Sequence, residues 1–87
     1  MKLILAVVRD LDGEAVIDTL LSQGYRVTRL ASTGGFLRRG NITLMIGVEE
    51  NQVQDVIQQL KAVVGPPEKE QHRVTLFVIN AIDFEQI

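Results

Sequence analysis

One stretch of this 87-residue chain concentrates side chains that could recognise a ligand: Arg26-Val27-Thr28-Arg29-Leu30-Ala31-Ser32-Thr33-Gly34-Gly35-Phe36-Leu37-Arg38-Arg39-Gly40-Asn41. Its glycines let backbone amides approach a phosphate, its hydroxyls donate to phosphate oxygens, and its arginines supply charged forks. Phe36 at the crest adds a flat apolar surface on which a purine can stack, an interaction worth roughly 1 to 3 kcal/mol per base in nucleic-acid complexes. Together these suit a nucleotide. The same residues also suit a tight turn pinned by one buried aromatic, with the arginines in solvent, and composition leaves both readings open. Two familiar nucleotide motifs are absent: no Gly-Lys-Ser/Thr follows at P-loop spacing, and no helix begins at the last glycine as a dinucleotide fingerprint requires.

Charge reinforces the anion reading. No acidic residue lies between Asp18 and Glu49, where Arg26, Arg29, Arg38 and Arg39 all fall, although the chain as a whole carries −2. A basic segment on an acidic body attracts an anion locally. A nucleic-acid binder is basic more broadly, so no nucleic-acid partner is expected. Catalysis is not expected either, since there is no nucleophile–base pair, no carboxylate dyad placed by spacing and no metal cluster. His72 is the single histidine and cysteine is absent, so a metal site built on His72 lacks a second imidazole, and nothing points to an oxidising compartment. Asp10, Asp12 and Glu14, and likewise Glu49 and Glu50, read as first-turn carboxylates favoured by the helix dipole. The apolar run 3–8 ends at Arg9-Asp10, too soon for a signal core or a membrane span. A cytoplasmic protein with no membrane insertion is the expectation.

The elements that must carry these residues follow from periodicity. Residues 3–8 read as a buried first strand, and 9–13 as a turn with Asp10 or Asp12 as helix cap. Val16, Ile17, Leu20 and Leu21 recur at helical spacing, and Gly24 suits the left-handed position that ends such a helix. Residues 25–30 read as a second strand, 31–41 as a glycine-opened loop and 42–48 as a third strand. Asn51 with Gln54 matches a capping box opening a second helix, whose stripe is Val53, Val56, Ile57, Leu60, Val63 and Val64. Gly65-Pro66-Pro67 stops it, and 73–79 forms a fourth strand. The order β-α-β-β-α-β predicts one α+β domain over 1–87, a ferredoxin-like antiparallel sheet with two helices on one face. Strand alternation places Arg26, Thr28 and Leu30, then Thr43, Met45 and Gly47, then Thr75, Phe77 and Ile79 on matching sides. If these sets share the uncovered face, it is mixed polar and apolar, as at a subunit interface that holds a ligand. Hydrophobic residues make up 46% of the chain, more than a core this small needs, so oligomerisation is expected.

Thr33-Gly34-Gly35-Phe36-Leu37-Arg38, with Gly40-Asn41 downstream and Arg26 upstream, resembles the signature of the cyclic-di-AMP receptor family, PII-like signal-transduction proteins. The opening through Asp10, the stretch Ile46-Gly47-Val48-Glu49, and the ending Phe77-Val78-Ile79 with Asp83-Phe84-Glu85-Gln86 are similar too. The resemblance implies a bacterial sensor rather than an enzyme: a homotrimer of ferredoxin-like subunits, one cyclic dinucleotide in each cleft between neighbours, no cofactor, and a downstream protein target. Carried over residue by residue, it implies that Arg26 and Thr28 line the cleft, and that the backbone of Gly35, Phe36 and Leu37 meets phosphate or base edges. It further implies that Asn41 hydrogen-bonds the ligand, Gly47 leaves room for it, Phe36 and Phe77 flank adenine rings, and Gln86 reaches a base or ribose. Two departures stand out. The family typically has asparagine where this chain has Gly24, and it usually carries a long reordering loop where residues 65–72 form a short, charged turn. Signalling then uses loop 31–41, or the branch keeps the cleft and has changed ligand or output. The alternatives are a PII-like regulator of another adenine nucleotide or anion, and a ligand-free trimeric adaptor docking through its arginine-rich loop.

Overall fold

Aliphatic residues alternating with half-exposed ones form the central strand β1 (Lys2–Arg9), which passes without a break into α1 (Asp10–Ser22). The computed structural model describes residues 1–30, 40–65 and 74–81. After α1 come β2 (Val27–Leu30), β3 (Asn41–Val48), a 3₁₀ turn (Glu50–Gln52), α2 (Val53–Val64) and β4 (Val74–Asn80). The strands lie in the order β2-β3-β1-β4 with every neighbour antiparallel, and the fold is the expected α+β ferredoxin-like arrangement.

One face of the sheet packs on the helices. Ile4, Ala6 and Val8 from β1 and Leu44, Ile46 and Val48 from β3 meet Val16 and Leu20 of α1 and Val56, Leu60 and Val64 of α2, all buried. Each of these side chains except Ala6 contributes about 1.5 to 3 kcal/mol of transfer free energy. Leu21 does not join them and is 52% exposed, because it sits about 100° round the helix from Leu20.

The turn expected at 9–13 is not formed. Arg9 is the N-cap of α1, and its side chain pairs with Asp12 at 2.9 Å instead of leaving Asp10 or Asp12 to cap. Gly13 lies buried inside the helix, where a Cβ would come 2.5 Å from the Ile42 Cδ1. Its glycine character serves close packing of α1 on β3. The capping box is displaced by two residues. Glu49 leaves β3 with extended backbone and therefore caps, its N–H donating to the Gln52 Oε1 at 2.9 Å, while Asn51 falls inside the 3₁₀ turn.

Gly24 ends α1 as expected. It adopts φ +88°, and the Gly24 and Tyr25 amides donate to the Leu21 and Leu20 carbonyls at 3.0 Å each, the paired bonds of a Schellman motif. That motif occupies the Tyr25 amide, so the β2 ladder starts at Val27 instead of Tyr25, with Arg26 just ahead of it. β3 begins one residue earlier than expected, at Asn41, which pairs with Arg9. β4 extends to Asn80, which pairs with Lys2 on the backbone and accepts a hydrogen bond from its side chain.

Candidate ligand-binding face

Register assigns the other face of the sheet residue by residue. Running from β4 towards β2, one row is Ile79, Leu3 and Gly47; the next is Phe77, Leu5, Met45 and Thr28; the next is Thr75, Val7, Thr43 and Leu30. Continuing the β2–β3 register by one residue sets Arg26 opposite Gly47. The sets drawn from strand alternation therefore do share the face away from the helix core.

That face is divided by chemistry. Its β4–β1 half is mainly apolar, with Leu3, Leu5 and Val7 half-buried, Phe77 and Ile79 56% and 44% exposed, and the exposed Thr75 as its polar exception. Its β2–β3 half carries the polar groups Thr28, Thr43 and Asn41, with the exposed Arg26 at its end. Thr28 and Phe77 belong to one row but sit on opposite edge strands, three strand spacings or about 14 Å apart. The apolar side chains of Leu5 and Met45 stand between them.

Gly47 is exposed, and a Cβ built there meets nothing within 4 Å. Its backbone is not left-handed, unlike that of Gly24, Gly40 and Gly65. Among the described residues, neither conformation nor crowding calls for glycine.

Local contacts aim the polar half. The Tyr25 phenol donates to the Asp55 carboxylate at 2.6 Å, tying the residue before Arg26 to α2. That hydrogen bond, with smaller contributions from burial and the negative charge, holds the phenol above its ordinary pKa of 10.0. Arg29 points to the opposite side of β2 and pairs with Glu14 at 3.0 Å, both side chains being well exposed. Such a pair contributes under about 1 kcal/mol, but it takes Arg29 out of the candidate site. Gly40 returns the chain into β3 at φ +91°, and its carbonyl accepts from the Asp10 amide at 2.7 Å, placing Asn41 beside the start of α1.

Of the residues expected to bind, Thr28, Asn41, Gly47 and Phe77 lie on this face and Arg26 at its margin; Gly35, Phe36, Leu37 and Gln86, like His72, lie outside the described residues. Thr43 was placed on this side by alternation but not assigned to the site. A concavity lined by Glu49, Glu50 and Asn51 is acidic and unsuited to a phosphate. Among the described residues no cluster of His, Cys, Asp or Glu could hold a metal ion, and no helix is long and apolar enough to cross a membrane.

A family model described as cyclic-di-AMP receptor matches residues 1–77. The chain belongs to the cyclic-di-AMP receptor family. The receptor match takes in all the expected binding residues except Gln86 and ends at Phe77. A solved structure, a functionally unknown protein from Pediococcus pentosaceus ATCC 25745, is 34% identical over 99% of this chain and 96% of its own, with a TM-score of 0.79. In this chain Gly24 serves as a helix terminator and offers no side chain to a base.

Proposed function

We propose that this protein is a PII-like signalling receptor that binds cyclic-di-AMP in clefts between the subunits of a homotrimer and performs no catalysis. The observation that carries the reading is the division of the open sheet face. In one row of that face Thr28 lies on β2 and the exposed aromatic Phe77 on β4, at opposite edges, with only Leu5 and Met45 between. A dinucleotide gripped by both Thr28 and Phe77 lies across two chains, the β4 edge of one against the β2 edge of the next. Contacts between two different patches are heterologous, and such contacts close into rings; the family resemblance sets the ring at three.

Apolar exposure supports the same assembly. Phe77, Val78 and Ile79 are 56%, 43% and 44% exposed on both sides of β4, a surface that association removes from water. In the cleft, Arg26 supplies charge to a phosphate, Thr28 and Asn41 hydrogen-bond, Gly47 leaves room, and Phe77 stacks. Gly35, Phe36, Leu37 and Gln86 complete the proposed set. The protein is cytoplasmic, and its output goes to a downstream protein partner.

Gly24 favours keeping one second reading, in which another adenine nucleotide or an anion occupies the cleft, since a base contact typical of the family is missing. Calorimetry with cyclic-di-AMP, cyclic-di-GMP, ATP and AMP, alongside sedimentation, tests both. Heat with cyclic-di-AMP at one site per chain and a particle of three chains is expected. Heat with ATP or AMP alone selects the second reading. No heat with any nucleotide overturns the proposal and favours a ligand-free adaptor.

A further inference from the structure

Thr43 sits in the middle of β3 with its side chain on the open face, opposite Val7 of β1 and Leu30 of β2. It is 7% exposed, and its hydroxyl oxygen is the buried side-chain polar atom without a hydrogen-bond partner among the described residues. A buried hydroxyl with no partner costs free energy, and native structures rarely keep one without a use for it. Valine has the same shape and lacks the cost. Val7 fills the equivalent place on the adjoining strand.

The orphan hydroxyl lies within the polar half of the candidate face. Asn41 is two residues back on the same side of β3, and Thr28 is diagonally across on β2, a separation within reach of a shared ligand. Leu30 and Met45 beside it are partly exposed, and Met45 is an unbranched side chain that changes rotamer at little cost. Ligand contact then requires the side chains over the hydroxyl to shift.

Resting on the reading above, we infer that Thr43 is a further ligand-binding residue of the β2–β3 site, its hydroxyl donating to an acceptor atom of the bound nucleotide. The unliganded chain then carries at position 43 a group that becomes satisfied only on binding. Stability is given up for affinity, a trade seen at many functional sites.

Thr43→Val and Thr43→Ser, compared with the unaltered chain by urea unfolding without ligand and by calorimetry with cyclic-di-AMP, test this. Thr43→Val is expected to unfold at an equal or higher urea concentration while binding about tenfold more weakly, the scale of one lost hydrogen bond. Thr43→Ser is expected to bind within about threefold of the unaltered chain, a difference of well under the tenfold step. If the unaltered chain binds and Thr43→Val binds equally well, this inference is overturned and the receptor reading stands. Lower stability together with weaker binding in Thr43→Val assigns a structural role and also overturns it. No heat from the unaltered chain sinks the receptor reading and this inference with it.

Discussion

Gly47 and Arg26 face each other at the end of the β2–β3 ladder, and each makes a separable claim about the ligand. Because a Cβ at Gly47 meets nothing among the described residues and its backbone is not left-handed, Gly47→Ala is expected to leave the fold intact. It should even raise stability by about 0.5 to 1 kcal/mol by removing a strand glycine. Cyclic-di-AMP binding should nevertheless fall at least tenfold in calorimetry, since the methyl group occupies the ligand's room; unchanged affinity places the ligand elsewhere. Arg26→Ala removes a charge-assisted contact worth roughly 1.5 to 3 kcal/mol, so binding should weaken about ten- to a hundredfold with no change in sedimentation. Equal affinity in that variant contradicts its place in the cleft. Arg29 serves as the matched control, because it pairs with Glu14 on the other side of β2.

At the scale of elements, the entry into β2 is held from two sides. The Schellman end of α1 fixes Gly24 and Tyr25, and the Tyr25–Asp55 bond then fastens the strand's start to α2. Tyr25→Phe deletes that bond and should cost about 0.5 to 1.5 kcal/mol at pH 8 in urea unfolding. The phenol's folded pKa is raised above 10.0, so the folded state holds the proton more tightly than the unfolded one. The bond's stabilisation is therefore fully present below pH 10 and is lost as pH rises through the higher folded value. The gap between the two proteins should narrow as pH is raised above 10. A gap that stays constant shows that the hydrogen bond is not what Tyr25 contributes.

For the whole molecule, the apolar β4–β1 half of the open face makes association the central physical claim. Leu5 lies in its middle, between Phe77 and Met45. Leu5→Asp leaves a carboxylate that water can reach in a lone chain but that an assembled interface would strip of solvent at a cost of several kcal/mol. Sedimentation should show single chains, and circular dichroism a retained β-α-β-β-α-β fold. A variant that still sediments as a trimer removes the open face from the interface. Phe77→Asp at the edge should act in the same direction and also abolish nucleotide binding, which ties the two properties to one surface.

Periodicity by itself determined the order of elements, the helix–sheet core and the side of each strand on which Thr28, Thr43, Gly47 and Phe77 fall, because alternation in strands and the 3.6-residue helical repeat are local properties. Gly24 as a helix end was equally legible, since a left-handed residue is a local requirement. The role of Gly13 was not, because the crowding by Ile42 comes from a strand nearly thirty residues away in sequence. Alternation put Arg29 on the side of β2 opposite Arg26, but its pairing with Glu14 of α1 was not legible, since it depends on how the helix packs. Only tertiary structure set Thr28 and Phe77 on opposite edges of one sheet, since strand order depends on which segments pair across the whole chain. The proposed cleft between subunits rests on that distance.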